Sequence, residues 1–435
     1  MLKSAGFCIL FVVGGISPFA YAQDLTIAPA AGELLRLSRQ QAIDEALARN
    51  YGLIAAREQV EQARAQVVVA AAFPDPSFAA DVSGLSHPLS PHSSTGSDQG
   101  VAVTIPFPGK TSLRRAVATA DLRVAEFNLT QLRQQVASQA VQAYDAILVA
   151  KRHADDLITS KGFAQDFLQK TQARFMAGTV AKVDVVKAQV DVSQAENDLI
   201  ANERTAATAR ATLNRLLGRS GGAPLELTDD LQIPSSLAAV DALEKLAESS
   251  RPELQSLATQ LEGAKAATRL AGKFWAPDLS VSFTRNAADG TPASFTSGVS
   301  FGIPILFWQH QRGEIAAAQH RQSELTANIS DIRAQISLDV QTAFANASIA
   351  LRQAIFIRDQ LLPEAKEVYR VASASYGLGG SSALDLLDAK RTLLDAERQY
   401  ADALGAANDA EAALELAIGT SLPMSNTGNT GETHE

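Results

Sequence analysis

Four long stretches of this chain carry apolar residues at intervals of three and four. Leu129, Leu132, Val136, Ala140, Ala143, Ile147 and Ala150 make one series. Leu325, Ile329, Ile332, Ile336, Val340, Ala343, Ala347, Ala350, Ala354, Ile357 and Leu361 make a second. Two shorter series follow them, Val185, Ala188, Val192, Ala195, Leu199 and Leu386, Ala389, Leu393, Ala396, Tyr400. Such spacing draws one apolar stripe along a helix, and its many alanines let backbones approach in coiled-coil-like packing. The pattern between Gly109 and Ala177 predicts a helix of about 100 Å at ~1.5 Å per residue. That is roughly three times the thickness of a bilayer core, so an elongated object is expected.

Four other segments alternate with a period of two. Phe78, Ala80, Val82 and Gly84 share one face, while Ser77, Ala79, Asp81 and Ser83 share the other. Val101, Val103, Ile105 and Phe107 oppose Ala102 and Thr104; Leu279, Val281 and Phe283 oppose Ser280, Ser282 and Thr284; Phe295, Val299, Phe301 and Ile303 oppose Thr296, Gly298, Ser300 and Gly302. Strands are predicted at 76–85, 100–107, 278–287 and 294–304. A membrane barrel shows this alternation, with lipid outside and water inside. A soluble antiparallel sheet with one solvated face shows it too, and the strands alone leave both open.

These elements occur twice, about 200 residues apart, a period too long for a solenoid repeat. Ala173 to Gly178 reads against Ala374 to Gly379, Asp184 to Ala188 against Asp385 to Ala389, and Gly218 against Gly419. Helix-breaking residues also coincide, Gly162 opposite Pro363. The expected organisation is a first repeat at 38–218, a linker at 219–238 and a second repeat at 239–419, with a tail at 420–435. Each repeat runs short helix, medium helix, two strands, then a long helical hairpin, at 109–217 and 309–418.

Composition narrows the setting. Lys3, the apolar run Phe7 to Val13 and the small residues of Ala20-Tyr21-Ala22 read as a secretory signal over 1–22, leaving a segment 23–37 before the first repeat. The single cysteine, Cys8, lies within that signal, so the mature chain is expected to have no disulfide, thiolate metal site or Cys nucleophile. After the signal no apolar run is long enough for a transmembrane helix, so any crossing requires a closed barrel. A net charge of -9 and the absence of basic runs argue against nucleic acid. No nucleophile motif, phosphate loop or zinc signature is present; an enzyme is not expected, and neither a cofactor nor a bound metal is called for.

Four strands cannot close a barrel, since the smallest need about eight. Two copies supply eight strands and three supply twelve, and a lumen open to solutes favours the larger number. Symmetric closure also removes every sheet edge.

The words Arg174-Phe175 with Gly178, then Asp184-Val185-Val186 with Ala188, and their echo Tyr376 with Gly379, then Asp385-Leu386-Leu387-Asp388-Ala389, resemble the TolC-like outer-membrane efflux family, over nearly the whole mature chain. The resemblance implies a mostly α fold with a membrane β-barrel: a homotrimer whose 12-stranded barrel in the Gram-negative outer membrane continues into an α-helical barrel in the periplasm. It implies a passive, gated exit duct fed by an inner-membrane pump of the RND type through a periplasmic adaptor. The tips Gly178, Thr179, Val180, Gly379, Gly380 and Ser381 are the expected adaptor-docking points. Asp385 and Asp388 match the family's acidic constriction, where clustered like charges are expected to raise carboxylate pKa values and attract cations. Tyr376 and Asp184 match a pair that holds the aperture shut. A second family link uses Arg and Thr; here Ser381 and Val183 stand there, and Lys187 opposite Asp388 is a substitute candidate. The words Phe73-Pro74-Asp75-Pro76 and Pro106-Phe107-Pro108-Gly109-Lys110 resemble the heavy-metal branch. The loop Gly84–Gly100, with His87 and His92, is expected to be extracellular, its histidines solvated rather than metal-bound. A duct for type I secretion or drug export keeps the fold and changes the client; a poreless periplasmic coiled-coil scaffold changes the class.

Overall fold

The computed structural model describes residues 34–83, 96–234, 237–288, 292–302, 307–378 and 380–422. The signal with Cys8, the loop histidines His87 and His92, Gly379 and the chain after residue 422 lie outside the described residues.

Each repeat opens with a helix pair whose junction is written in capping residues. Ser38 and Gln41 form a reciprocal capping box that starts α1 (Arg39–Arg49), and the Asn50 side chain accepts from the N–H groups of Gly52 and Leu53 to start α2 (Tyr51–Ala71). Both caps satisfy backbone donors that a helix start leaves open. The second pair is α5 (Val240–Ser250) and α6 (Pro252–Ala271), where Pro252 occupies the first turn, a position that needs no N–H.

The hairpin of the first repeat is α3 (Lys110–Met176) and α4 (Lys182–Leu216). Its 67-residue first arm spans about 100 Å. In the second repeat α7 (Phe307–Phe356) runs through a π-turn at Ile357–Leu361 into α8 (Leu362–Gly377), and α9 (Ala383–Ile418) returns. The pairing of Gly162 with Pro363 as helix breakers does not hold. α3 passes through Gly162 without interruption, because glycine keeps its N–H and costs a helix only ~1 kcal/mol. Pro363 lacks the N–H and crowds the preceding turn; the π-turn immediately before it takes up the distortion.

Each repeat has its own core. One gathers around Tyr144, with Leu37, Ala42, Ala46, Leu53, Leu213 and Leu217; the other joins Leu243, Ile336, Val340, Leu414 and Ile418. A short parallel pair, β1 (Leu35–Leu37) with β4 (Leu225–Leu227), ties the segment before the first repeat to the chain after α4. The Tyr144 hydroxyl donates to Leu37 O at 3.1 Å and accepts from the Asp229 N–H at 3.4 Å. α3 packs along α4 and α2 and also against α6 and α9 of the other repeat.

The remaining strands, β2 (Ser77–Ser83), β3 (Gly96–Ile105), β5 (Leu279–Ala288) and β6 (Ser294–Phe301), form one antiparallel sheet in the order β2-β3-β5-β6. β3 starts earlier than the apolar alternation suggests, because its first residues are Gly96-Ser97-Asp98-Gln99. The register Phe78↔Val101↔Phe283, Val103↔Val281↔Val299 and Leu279↔Phe301 puts the large apolar side chains on one face. The other face carries Ser77, Thr104, Ser280, Ser282, Thr284, Thr296 and Ser300, and the Thr104 and Ser280 hydroxyls meet at 3.2 Å. Phe78, Val101, Phe283, Phe295, Val299 and Phe301 are all exposed, and the strands pack against one another rather than under a helix. Where the sheet meets the helices, Lys110 pairs with Asp278 at 2.9 Å and Asp278 accepts from the Phe107 N–H at 2.8 Å. No described helix is long and apolar enough to cross a membrane.

Candidate functional site at the hairpin tips

The two tips close with equivalent backbone bonds and differ in how the return helix is capped. After α3, Gly178 takes φ +73°, and the Thr179 N–H and hydroxyl both donate to Arg174 O, at 3.0 and 2.9 Å. That six-to-one closure with a left-handed glycine is how a long helix stops within one residue. At the second tip the Gly380 N–H donates to Ser375 O at 2.9 Å. Ser382 then caps α9 in a reciprocal box with Asp385. Large apolar side chains crown both tips, Met176 at 82% and Leu378 at 90% exposure.

Tyr376 and Asp184 are not joined as the resemblance suggests. Tyr376 is buried, and its hydroxyl lies 3.3 Å from the Thr171 hydroxyl. Its carbonyl accepts from Arg174, whose guanidinium also sits 4.7 Å above the Tyr376 ring. The phenol therefore points into a cluster with Phe167, Ala188 and Leu386, where a neutral hydroxyl partner costs less to bury than a carboxylate. Asp184 is half-buried in the first turn of α4, where the helix dipole favours an acid.

Asp385 and Asp388 are both exposed, one turn apart on α9. A raised pKa is the expectation for carboxylates gathered from several copies; within one chain Asp385 shifts the other way. The backbone N–H of Ser382, and then its hydroxyl, hold the Asp385 carboxylate below its ordinary range. Donors aimed at the ionised form produce that direction.

Between α4 and α9 runs a groove of about 890 Å³, floored by α3 and lined by Lys187, Val190, Asp191, Leu387, Asp388 and Lys390 among others. Lys187 and Asp388 border this groove without an ion pair between them; the pair that crosses it is Lys390 with Asp191, at 2.7 Å. Ser381 donates to Ala372 O within its own hairpin at 3.4 Å, and Val183 is exposed. Sequence reasoning passed over Thr171, Asp191 and Lys390. A signal existed for two of them: Thr171 continues the stripe Ala164, Phe167, and Lys390 interrupts the stripe from Leu386 to Leu393.

Residues 42–219 and 243–420 each match the family described as outer membrane efflux protein. The chain belongs to that family. The efflux channel is 25% identical over 388 residues to the cobalt-zinc-cadmium resistance protein CzcC of Cupriavidus metallidurans, covering 88% of this chain and 90% of that protein. It is 22% identical over 302 residues to the outer membrane protein TolC of Vibrio cholerae, covering 65% and 67%. Its fold matches that of CusC, a protein described as undergoing transmembrane channel formation, with a TM-score of 0.73 at 19% identity, covering 88% of this chain and 92% of CusC. This efflux protein is an outer-membrane channel component of a tripartite efflux system, and its relatives are channels rather than enzymes.

Proposed function

We propose that three copies of this chain join β6 of one to β2 of the next, making a twelve-stranded barrel whose lumen continues into a tunnel of the long helices. The observation that carries this reading is the four-stranded sheet. Among the described residues its two outer edges have no partner strand, one face is polar, and the other is apolar and exposed. Unpaired edges and a bare apolar face are both costly in water. Symmetric closure in lipid removes both costs. A poreless scaffold would leave that face in water.

The cargo is a heavy-metal cation and the role that of a passive duct, supplied by an RND-type pump through a periplasmic adaptor that meets the tips at Gly178, Thr179, Val180, Gly379, Gly380 and Ser381. Similarity to a cobalt-zinc-cadmium resistance protein over most of both chains supports this cargo. Type I secretion or drug export is the same duct with another client.

Asp385 and Asp388 gather near the threefold axis as rings of carboxylates, with Asp184, Tyr376 and Lys187 around them. The mature protein in detergent is expected to run as a heat-resistant trimer and to conduct in planar bilayers. Asp385→Ala with Asp388→Ala is expected to raise conductance and weaken block by multivalent cations; unchanged conductance and block would remove these residues from the aperture. A soluble monomer that never conducts would refute the duct itself. Loss of zinc, cobalt and cadmium tolerance on deletion, with drug tolerance intact, is the expected cargo result.

A further inference from the structure

Beneath the sheet, α3 and α6 run side by side with a groove of about 650 Å³ along their seam. Small residues let the two helices approach. Ala120 and Ala266 are buried, and a Cβ on Gly263 would stand 2.9 Å from that of Ala120. The rims are basic: Arg115 and Arg123 on α3 and Arg269 on α6 all line the groove and are all exposed. Glu262 is the one carboxylate among the described lining residues, and Lys265 already pairs with it at 2.7 Å. Among the described residues none of the three arginines has an ion pair with a carboxylate. The chain as a whole carries a net charge of -9, so this groove is a local exception. A cleft lined by one sign of charge concentrates ions of the other.

The helix turn fixes which way the groove opens. Asp278 continues the polar series Ser280, Ser282 and Thr284 of β5, and Lys110, the first residue of α3, pairs with it at 2.9 Å. In the duct that polar face lines the lumen, so Lys110 marks the lumen side of α3. An α-helix turns about 100° per residue, which puts Ser112, Arg115, Thr119 and Arg123 within about 40° of the side opposite Lys110. The groove therefore opens outward, on the side of the sheet's apolar face. Its depth follows from the helix rise. Phe107 continues the apolar face of β3, and its ring packs on the half-exposed Trp275 with centroids 6.0 Å apart. Aromatic rings at the end of an apolar band mark the membrane–water interface. Arg115 lies five residues past Lys110, about 8 Å along the axis. Arg269 lies two residues before the end of α6 at Ala271. A headgroup layer is roughly 5–8 Å thick, so both reach it. Arg123 is about 12 Å farther along α3, beyond that layer.

We propose that this groove binds the headgroup of an anionic phospholipid from the periplasmic leaflet, with Arg115 and Arg269 clamping its phosphate. The inference rests on the duct reading, which puts the sheet in lipid. Arginine suits the task because its planar fork donates two hydrogen bonds to one phosphate. All phospholipids carry that phosphate. The preference for a net-negative headgroup comes from the unbalanced positive charge of the groove, which a zwitterion with its own cation does not neutralise. Held there, the lipid fixes the depth of each protomer in the membrane, on the outside of the wall and away from the solute path.

Native mass spectrometry of the mature trimer tests this, after lipid is stripped in uncharged detergent and phosphatidylglycerol or phosphatidylcholine is added at equal concentration. One phosphatidylglycerol per protomer is expected to stay bound, with phosphatidylcholine retained severalfold less. Arg115→Ala with Arg269→Ala is expected to lower phosphatidylglycerol retention about tenfold. Arg115→Lys with Arg269→Lys is expected to fall between, since an ammonium keeps the charge and loses the fork. Arg123→Ala removes the same charge below the headgroup layer and is expected to change retention little. Conductance and resistance of the trimer to heating are expected to be unchanged in all variants. Equal retention of the two lipids, or an alanine pair that holds phosphatidylglycerol as the wild type does, refutes the site while the conducting duct stands. A loss in Arg123→Ala as large as that of the pair would also overturn it, in favour of unspecific charge attraction. Displacement of the lipid by inorganic phosphate would overturn the lipid assignment in favour of a free-anion site. A wild type that neither forms a trimer nor conducts refutes the duct reading instead.

Discussion

Gly218→Val is expected to cost about 4 kcal/mol of folding stability and to abolish accumulation of the folded protein. Gly218 ends α4 at φ +67°, and a Cβ there would stand 2.8 Å from the carbonyl oxygen of Arg49. Two independent penalties add. A β-branched residue in the left-handed region is strained, and the obstructing atom is backbone, fixed by the α1–α2 junction. The turn also carries the Arg219 N–H to Asn214 O at 2.8 Å and the Gly218 N–H to Arg215 O at 3.2 Å, so shifting it releases two bonds. Gly419 repeats the arrangement at the end of α9, with φ +81° and the Ser250 carbonyl 3.3 Å from a built Cβ; Gly419→Val is expected to be damaging but milder. Gly162→Ala is the matching control. Nothing lies within 4 Å of its Cβ position, and an interior helical glycine replaced by alanine gains about 1 kcal/mol. Thermal melts and the yield of folded protein measure all three, and a Gly218→Val protein that folds with wild-type stability would contradict the close-approach account.

Arg39→Met is expected to destabilise the fold by about 3 kcal/mol at pH 8 and to recover most of that loss at pH 5. Asp145 on α3 is 2% exposed and pairs with Arg39 at 3.0 Å. Burial, opposed by Arg39 and reinforced by Asp409 and Glu411 on α9, pushes its carboxyl up to about 6. Burial also raises Asp409 and Glu411, with Arg39 again the opposing charge. Asp229 engages the same residue from the far side, accepting from the Arg39 N–H at 2.7 Å. A carboxyl whose folded pKa lies above its unfolded value keeps a proton that the unfolded chain releases. Its contribution to stability is therefore greatest at low pH and is lost as pH rises through the folded pKa of about 6. The wild type is expected to melt higher at pH 5 than at pH 8. Without Arg39 the Asp145 pKa climbs further, so the variant suffers most where Asp145 is forced to ionise. Equal destabilisation at both pH values would show that Arg39 acts through the packing of its stem alone.

How much was legible in the chain follows from the range of each interaction. The long helices, the sheet strands and the doubling of the unit depend on residues a few positions apart, and the periods of 3.6 and 2 expose them directly. Ser38 with Gln41 and Gly218 with Gly419 are readable for the same reason, since caps and left-handed turns are local. The π-turn before Pro363 was legible only as a break, because proline announces a missing N–H without saying how the helix absorbs it. The partners of Tyr376 and Lys390 were not legible. Tyr376 meets Thr171, 205 positions away, and Lys390 meets Asp191, 199 away. Which side chain fills such a pairing depends on the rotation and stagger of one helix against another.

The amino-acid sequence by itself determined that this protein is a duplicated unit of long coiled helices carrying strands with one apolar and one polar face, because those properties are periodic along the backbone. Tertiary structure alone decided that the β1–β4 pair ties the segment before the first repeat to the chain after α4. It also decided that Asp385 spends its carboxylate on the Ser382 cap, and that a buried lysine rather than an arginine spans the groove between the hairpins. Those outcomes turn on which polar groups are left facing one another once the apolar stripes have packed, and packing fixes that in three dimensions only.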